Sequence, residues 1–160
     1  MMRKKPWNRT NQPVYSCSSQ SGIQFNMHIL TYVTPISMSP KRYICGIYHG
    51  TKTHELVSSS SVFVLQLLEE NQYPLVNLLG KQSGNKVDKL AKLEKKQLLT
   101  HWNNFPVLKD ALALLLLKPI NHIDAGDHTA FLCDVMDYKN LNPGNVLTLD
   151  TLRKHKLIRC

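Results

Sequence analysis

Three groups of residues in this 160-residue chain carry side chains and spacings suited to chemistry. The first is Gly126-Asp127-His128-Thr129, an imidazole beside a carboxylate at a turn. A histidine titrates near cellular pH, so His128 can donate to a carboxamide or shuttle a proton. The same pattern also fits a strand histidine bonded across a hairpin to Asp124 or Asp127. The second group is Thr51-Lys52-Thr53, two hydroxyls and an ammonium placed after Gly50 and before His54-Glu55-Leu56-Val57. That stretch reads as a turn or two of helix with Thr53 as its N-cap. The unpaired N–H groups of a helix start are a natural seat for a phosphate, and Gly50 permits close backbone approach. An ordinary polar turn is the plainer alternative. The third is Gln66, alone among apolar neighbours in residues 62–68; a buried amide needs partners, either a ligand or nearby backbone.

The elements that must hold these groups are mainly strands. Residues 25–37, 43–48 and 62–68 are rich in β-branched and aromatic side chains and are bounded by Gly, Pro and Ser, which reads as consecutive strands. The third run is apolar at almost every position, as expected of a strand buried on both faces. Pro74 opens a short helix with Leu75, Val76, Leu78 and Leu79 as its stripe and Gly80 at its end. Lys89, Lys92, Lys95 and Lys96 suggest a second helix with an exposed basic face. Residues 101–108 read as an aromatic-rich connection in which Trp102 is a packing anchor. Residues 111–117 suit either helix, by their Ala and Leu content, or strand. Asp124-Ala125-Gly126-Asp127 is a hairpin turn by composition. Residues 128–136 form the returning strand, and Asn142-Pro143-Gly144-Asn145 leads to a last strand at 146–149. Residues 1–20 read as a flexible lead-in with room for one strand around 13–17, and residues 151–160 as a basic tail.

Asn26-Met27-His28-Ile29-Leu30-Thr31-Tyr32-Val33-Thr34-Pro35-Ile36-Ser37 resembles the signature loop of flavin reductase-like proteins with an FMN-binding split barrel. That family shows Asn, an apolar residue, Met-Thr, a small residue, Ser-Trp, then Thr-Pro-Val-Ser. The Thr53-His54-Glu55-Leu56 turn, Ser83-Gly84-Asn85-Lys86-Val87-Asp88-Lys89-Leu90 and Gly126-Asp127-His128-Thr129-Ala130-Phe131 are similar to the family's later segments, and they stand in family order over roughly residues 22–149. The resemblance implies a mainly β fold, an antiparallel Greek-key split β-barrel with a few short helices over residues 21–150, and residues 111–123 as a strand. It implies non-covalently bound FMN, NAD(P)H as co-substrate, and hydride transfer near His128. The backbone of His28, Ile29, Leu30, Thr31 and Tyr32, together with Ser37, would follow the flavin ring. Thr51, Lys52 and Thr53 would take its phosphate, Gln66 the ring or ribityl chain, and Ser83 and Lys89 the phosphate or a partner subunit's flavin. Thr31 keeps a hydroxyl and Tyr32 an aromatic plate where the family has Ser and Trp. His28 departs from the pattern, and a solvent-facing loop residue is its plainer reading. The family also implies a homodimer, and a partner oxygenase or another electron acceptor.

Composition narrows the alternatives. Hydrophobic residues make up 42% and charged residues 19%, an ordinary globular balance for a single domain. No apolar run approaches a membrane span, and the N-terminus lacks the apolar segment of a secretory signal. Cys17, Cys45, Cys133 and Cys160 show no paired spacing, which suggests reduced thiols in a cytoplasmic protein. No metal is expected, because the histidines and cysteines form no ligand pattern. The net charge of +9 gathers at residues 3–5, 89–96 and 153–159 without any nucleic-acid motif, so a solvated basic surface is expected rather than nucleic-acid binding. Two other readings remain at this point: a flavin-holding electron carrier without pyridine-nucleotide activity, and a basic barrel binding nucleic acid or another phosphate ligand.

Overall fold

The computed structural model describes residues 5–159. Its strands, in order, are β1 (Tyr15–Ser21), β2 (Gln24–Leu30), β3 (Val33–Ser37), β4 (Arg42–Tyr48), β5 (Phe63–Leu67), β6 (Leu99–Trp102), β7 (Phe105–Leu108), β8 (Ala113–Asp124) and β9 (His128–Asn140). The helices are α1 (Lys52–Ser59), α2 (Leu75–Leu79), α3 (Lys89–Lys95) and α4 (Leu149–Lys154). Seven strands pair antiparallel in the order β2-β1-β5-β8-β9-β4-β3, and β6 and β7 form a separate hairpin. The chain leaves β4, passes through α1 and returns at β5 beside β1, and the β8–β9 hairpin fills the gap between β5 and β4. This long return is a Greek-key connection. The two edge strands, β2 and β3, are joined directly through Thr31 and Tyr32.

The sheet curls around one interior. Tyr15, Cys17, Leu30, Cys45, Ile47, Phe63, Leu65, Leu117, Phe131 and Cys133 come from six strands and share a single buried cluster, to which α1 adds Val57. Convergence of alternate residues from every side of a sheet is what a small closed barrel requires, so the expected antiparallel barrel is the observed fold. A second cluster lies outside it, where Val14, Met27, Val64 and Leu114 meet Val76 and Leu79 of α2, Leu93 of α3, Val107 of β7 and Leu152 of α4. Residues 63–67 thus contribute to both clusters, as the near-continuous apolar run suggests.

Several local expectations are corrected. Within the lead-in of residues 1–20, a short turn lies at Pro6–Asn8; the strand allowed around 13–17 is present as β1, but it is no loose segment, because Tyr15 to Ser18 are buried and pair with both β2 and β5, completing the barrel wall. The basic tail contains α4, whose Leu152 is buried in the outer cluster, and Arg153 is tied to Asp150 at 2.6 Å and to the Thr10 carbonyl. The strand expected at 146–149 is reduced to single bridges, Glu69 with Val146 and Pro13 with Thr148. Residues 101–108 hold a hairpin instead of a plain connection: Asn103 and Asn104 both have positive φ, 48° and 65°, the two-residue turn that matches strand twist. The Ala–Leu run at 113–117 is strand because β5 and β9 bond it from both sides, which overrides helix propensity; a register shift at Pro119 accommodates its missing N–H. Cys17, Cys45 and Cys133 are free thiols, all buried. Cys160 and residues 1–4 lie outside the described residues. Among the described residues no helix is long and apolar enough to cross a membrane.

Candidate functional site

The turn joining β2 to β3 forms one end of the site. Gly46 of β4 lies against it: its N–H donates to the Tyr32 carbonyl at 2.7 Å, and a Cβ there would stand 3.1 Å from the Tyr32 Cβ. The Tyr32 ring meets His128 edge to face, with centroids 4.8 Å apart, and Tyr48 meets the same imidazole at 5.2 Å. Pairing of Tyr48 with His128 between β4 and β9 sets this register. His128 Nδ1 is 2.6 Å from Asp127 Oδ1, so Nδ1–H donates to the carboxylate and Nε2 is left for another partner. Thr31, Tyr32, Thr34, Gly46, Asp127 and His128 line a cleft of about 400 Å³ here.

A second cleft of about 230 Å³ lies where the β4–α1 turn faces β2 and the loop after α2; Asn26, His28, Thr51, Lys52, Ser83 and Gly84 are among its lining residues. Thr51, not Thr53, is the N-cap of α1; its Oγ1 accepts from the His54 N–H at 3.1 Å. Lys52 extends to Gln24 and to Glu55, the latter at 3.1 Å. The lining residues include Lys52 and Lys81 and no acidic residue, although the Lys52 ammonium is paired with Glu55; such a lining suits an anion. Gly84 rests directly on the Asn26 amide, where a Cβ would collide with Asn26 Oδ1. That amide is itself fixed by donating to Thr53 Oγ1 at 3.0 Å.

Behind His28 stands Lys89. Its side chain is buried, 1% exposed; its ammonium donates to the Leu79 carbonyl at 2.8 Å and lies 3.2 Å from His28 Nδ1. Burial pulls the Lys89 pKa down to about 8. Burial, and then the Lys89 charge, pull His28 down to about 4, against a small upward pull from the Leu79 backbone. Near neutrality the lysine is charged and the histidine is not.

The two clefts are close. His28 lines one and Thr31 the other, three residues apart along an extended chain, about 10 Å. From Gly46 to Thr51 is five residues, at most about 18 Å. The lining residues of the two clefts are thus near neighbours along the chain.

Sequence-derived candidates fall into three sets. Thr31, Tyr32 and His128 share the first cleft; His28, Thr51, Lys52 and Ser83 share the second. Others stand apart. Gln66 is wholly buried and takes the core-amide alternative: its amide donates to Ser16 Oγ at 2.8 Å and accepts from the Leu108 N–H at 2.6 Å. Thr53 is also buried, its hydroxyl engaged by Asn26. Ser37 lies at the far end of β3, paired with Arg42. The side chains of Ile29 and Leu30 pack into the outer and inner clusters, so at these positions only backbone is left for a ligand. Lys89 belongs to no exposed basic face; it is interior because α3 packs on β2. Tyr48, Gly46 and Asn26 were not singled out from the sequence, because only strand pairing brings them to these clefts. Beside His128, Thr129 Oγ1 lies 2.9 Å from His49 Nε2 and 2.8 Å from His54 Nε2; burial, and then His49 and His122, lower the His54 pKa. No group of three metal-ligating side chains occurs among the described residues.

The antiparallel barrel thus carries an aromatic–histidine cleft and a second cleft lined by lysines. The profile of the flavin reductase like domain matches residues 7–155, and the chain belongs to the flavin reductase-like family. It is 27% identical over 117 residues to an uncharacterized protein of Archaeoglobus fulgidus, a match covering 69% of this chain and 63% of that one; the alignment thus spans less than two thirds of that relative. Among solved structures, the FMN-binding protein of Thermus thermophilus superposes with a TM-score of 0.73 at 22% identity, covering 88% of this chain and 78% of that chain. The NADH:FAD oxidoreductase SgcE6 of Streptomyces globisporus C-1027 gives 0.77 at 17% identity, covering 87% and 81%. These likenesses establish the shared fold.

Proposed function

We propose that this protein binds FMN non-covalently and acts as an NAD(P)H:flavin oxidoreductase. The observation that carries the reading is the pair of clefts whose lining residues are near neighbours along the chain, one with an aromatic ring and a histidine and one lined by two lysines and no acidic residue. Family membership supports it, as does the similarity to proteins described as FMN-binding and as an NADH:FAD oxidoreductase. Bound flavin would supply two-electron chemistry, taking a hydride from the nicotinamide and passing electrons to an acceptor.

The chain's own groups do the rest. Backbone from His28 to Tyr32 offers polar groups along the flat edge of the ring. Lys52 and Ser83 hold the phosphate through an ammonium and a hydroxyl, while Thr51, whose hydroxyl donates to the Tyr48 carbonyl, borders them on the cleft wall. Tyr32 and Tyr48 hold the His128 imidazole edge-on, and Asp127 fixes its Nδ1 proton. The His128 Nε2 edge can then bond a nicotinamide carboxamide and orient it. Exposed Tyr32, Tyr48 and Ile123 support a homodimer, in which a second copy covers apolar surface near the first cleft. Free buried thiols support a cytoplasmic setting.

The test is an absorbance spectrum of the purified protein with added FMN, followed by anaerobic addition of NADH or NADPH. Flavin bleaching faster than that of free FMN is the expected result, with a reduced rate in His128→Ala. A bleaching rate equal to that of free FMN defeats the reductase reading and leaves the electron carrier.

A further inference from the structure

The cationic cleft contains a device that the family's sequence pattern does not provide, since His28 stands where that pattern has a methionine. Lys89 is a buried cation with two protein partners, a carbonyl and an imidazole nitrogen. No carboxylate pairs with it among the described residues. A buried charge without a counter-ion is costly, and its one outlet toward an anion is through His28. Because the ammonium can only donate, His28 Nδ1 must accept, and a neutral imidazole that accepts at Nδ1 carries its proton at Nε2. Among the described residues His28 Nε2 has no hydrogen-bond partner and is not one of the sealed, unpartnered side-chain atoms, while the residue lines the same cleft as Thr51 and Ser83.

We propose that Lys89 locks His28 in its Nε2–H tautomer, so that this N–H donates to a phosphate oxygen in the cleft and selects phosphorylated over unphosphorylated flavin. The inference rests on the flavin reading above. His28 is the contact. Lys89 is a positioning residue: it fixes the direction of the donor and lends it positive character across the 3.2 Å hydrogen bond. A bound phosphomonoester supplies, at one remove, the negative charge that the interior does not. Lysines 52 and 81 at the mouth of the cleft contribute attraction but no such fixed geometry.

The experiment titrates wild type, His28→Leu, His28→Gln and Lys89→Met with FMN and with riboflavin, following flavin fluorescence. His28→Leu should weaken FMN binding by roughly ten- to a hundredfold, the range of a hydrogen bond to a charged group. Riboflavin affinity should change much less, so that the FMN-to-riboflavin ratio falls. Gln can both accept from Lys89 and donate into the cleft, so His28→Gln should recover much of the loss, and Lys89→Met should lose FMN preference while riboflavin binding persists. Nitrogen-15 NMR of wild-type His28 gives a readout that needs no variant to fold: an Nε2–H tautomer is expected, with the Nε2 signal shifting on addition of FMN or inorganic phosphate. An Nδ1–H tautomer, or an FMN-to-riboflavin ratio unchanged in His28→Leu, overturns the inference while leaving flavin binding intact. If wild type binds neither flavin, the flavin reading and this inference fall together.

Discussion

Gly46 and Tyr32 are in direct contact: the glycine N–H bonds the tyrosine carbonyl at 2.7 Å, and a Cβ on Gly46 would lie 3.1 Å from the tyrosine Cβ. The same Cβ would stand 3.7 Å from the His128 ring. The position therefore keeps room for both aromatic walls of the first cleft.

Gly46→Val should push Tyr32 outward and disturb its edge contact with His128. Overpacking of this kind costs about 1–3 kcal/mol, which urea unfolding would measure. FMN affinity should fall with it. A variant of wild-type stability and affinity would show that Tyr32 does not depend on this approach.

Gln66→Leu separates core from site. It leaves the Leu108 N–H and the Ser16 hydroxyl without their partner, and an unsatisfied buried group costs about 1–3 kcal/mol. Unfolding midpoints should drop while FMN affinity, per folded protein, stays constant. A selective loss of flavin binding would return Gln66 to the ligand set.

Gly84→Ala should act on the second cleft. Its methyl group would meet the Asn26 amide, which holds Thr53 at the start of α1. Relief requires either the Ser83–Gly84 loop or the Asn26–Thr53 bond to move. FMN binding should weaken more than riboflavin binding, as read by fluorescence titration, because the phosphate end is the part displaced.

The pH dependence of stability follows from the buried pair. His28 has its pKa lowered from 6.5 to about 4, so below 6.5 the unfolded chain holds the extra proton more readily than the folded one. Its contribution is complete above pH 6.5 and is lost as pH falls through about 4. His28→Gln should flatten that part of the stability profile relative to wild type, leaving the smaller contribution of His54. Lys89, lowered from 10.5 to about 8, works at the other end. Between these values the unfolded chain again holds more protons, so raising pH from 8 to 10.5 relieves the penalty of the buried ammonium. Denaturant unfolding of wild type against Lys89→Met, in matched buffers, isolates that slope; equal slopes would place the ammonium in solvent.

Strand periodicity, the apolar run ending at Leu68 and the turn residues around Gly126 are local properties, so the barrel strands were legible along the chain. The helix around His54 was legible too, one or two residues out at its start, since Thr51 and Thr53 are equally good caps by type and only geometry chooses between them. The Asn103-Asn104 pair is likewise a local hairpin signal, since asparagine tolerates the positive φ both positions adopt. What local chemistry cannot encode is which side of a sheet a polar residue faces and what meets it there. Gln66, in mid-strand, finds both partners inside the barrel wall, 50 and 42 residues away along the chain. Lys89 looks like the start of an exposed basic face until α3 docks on β2 and turns it toward His28, 61 residues distant. Amino-acid types alone indicated successive strands and a histidine at a hairpin turn, and the resemblance to the flavin reductase-like family supplied the antiparallel barrel. Tertiary pairing alone decided which of those groups share a cleft, because partners far apart in sequence meet only when the sheet curls.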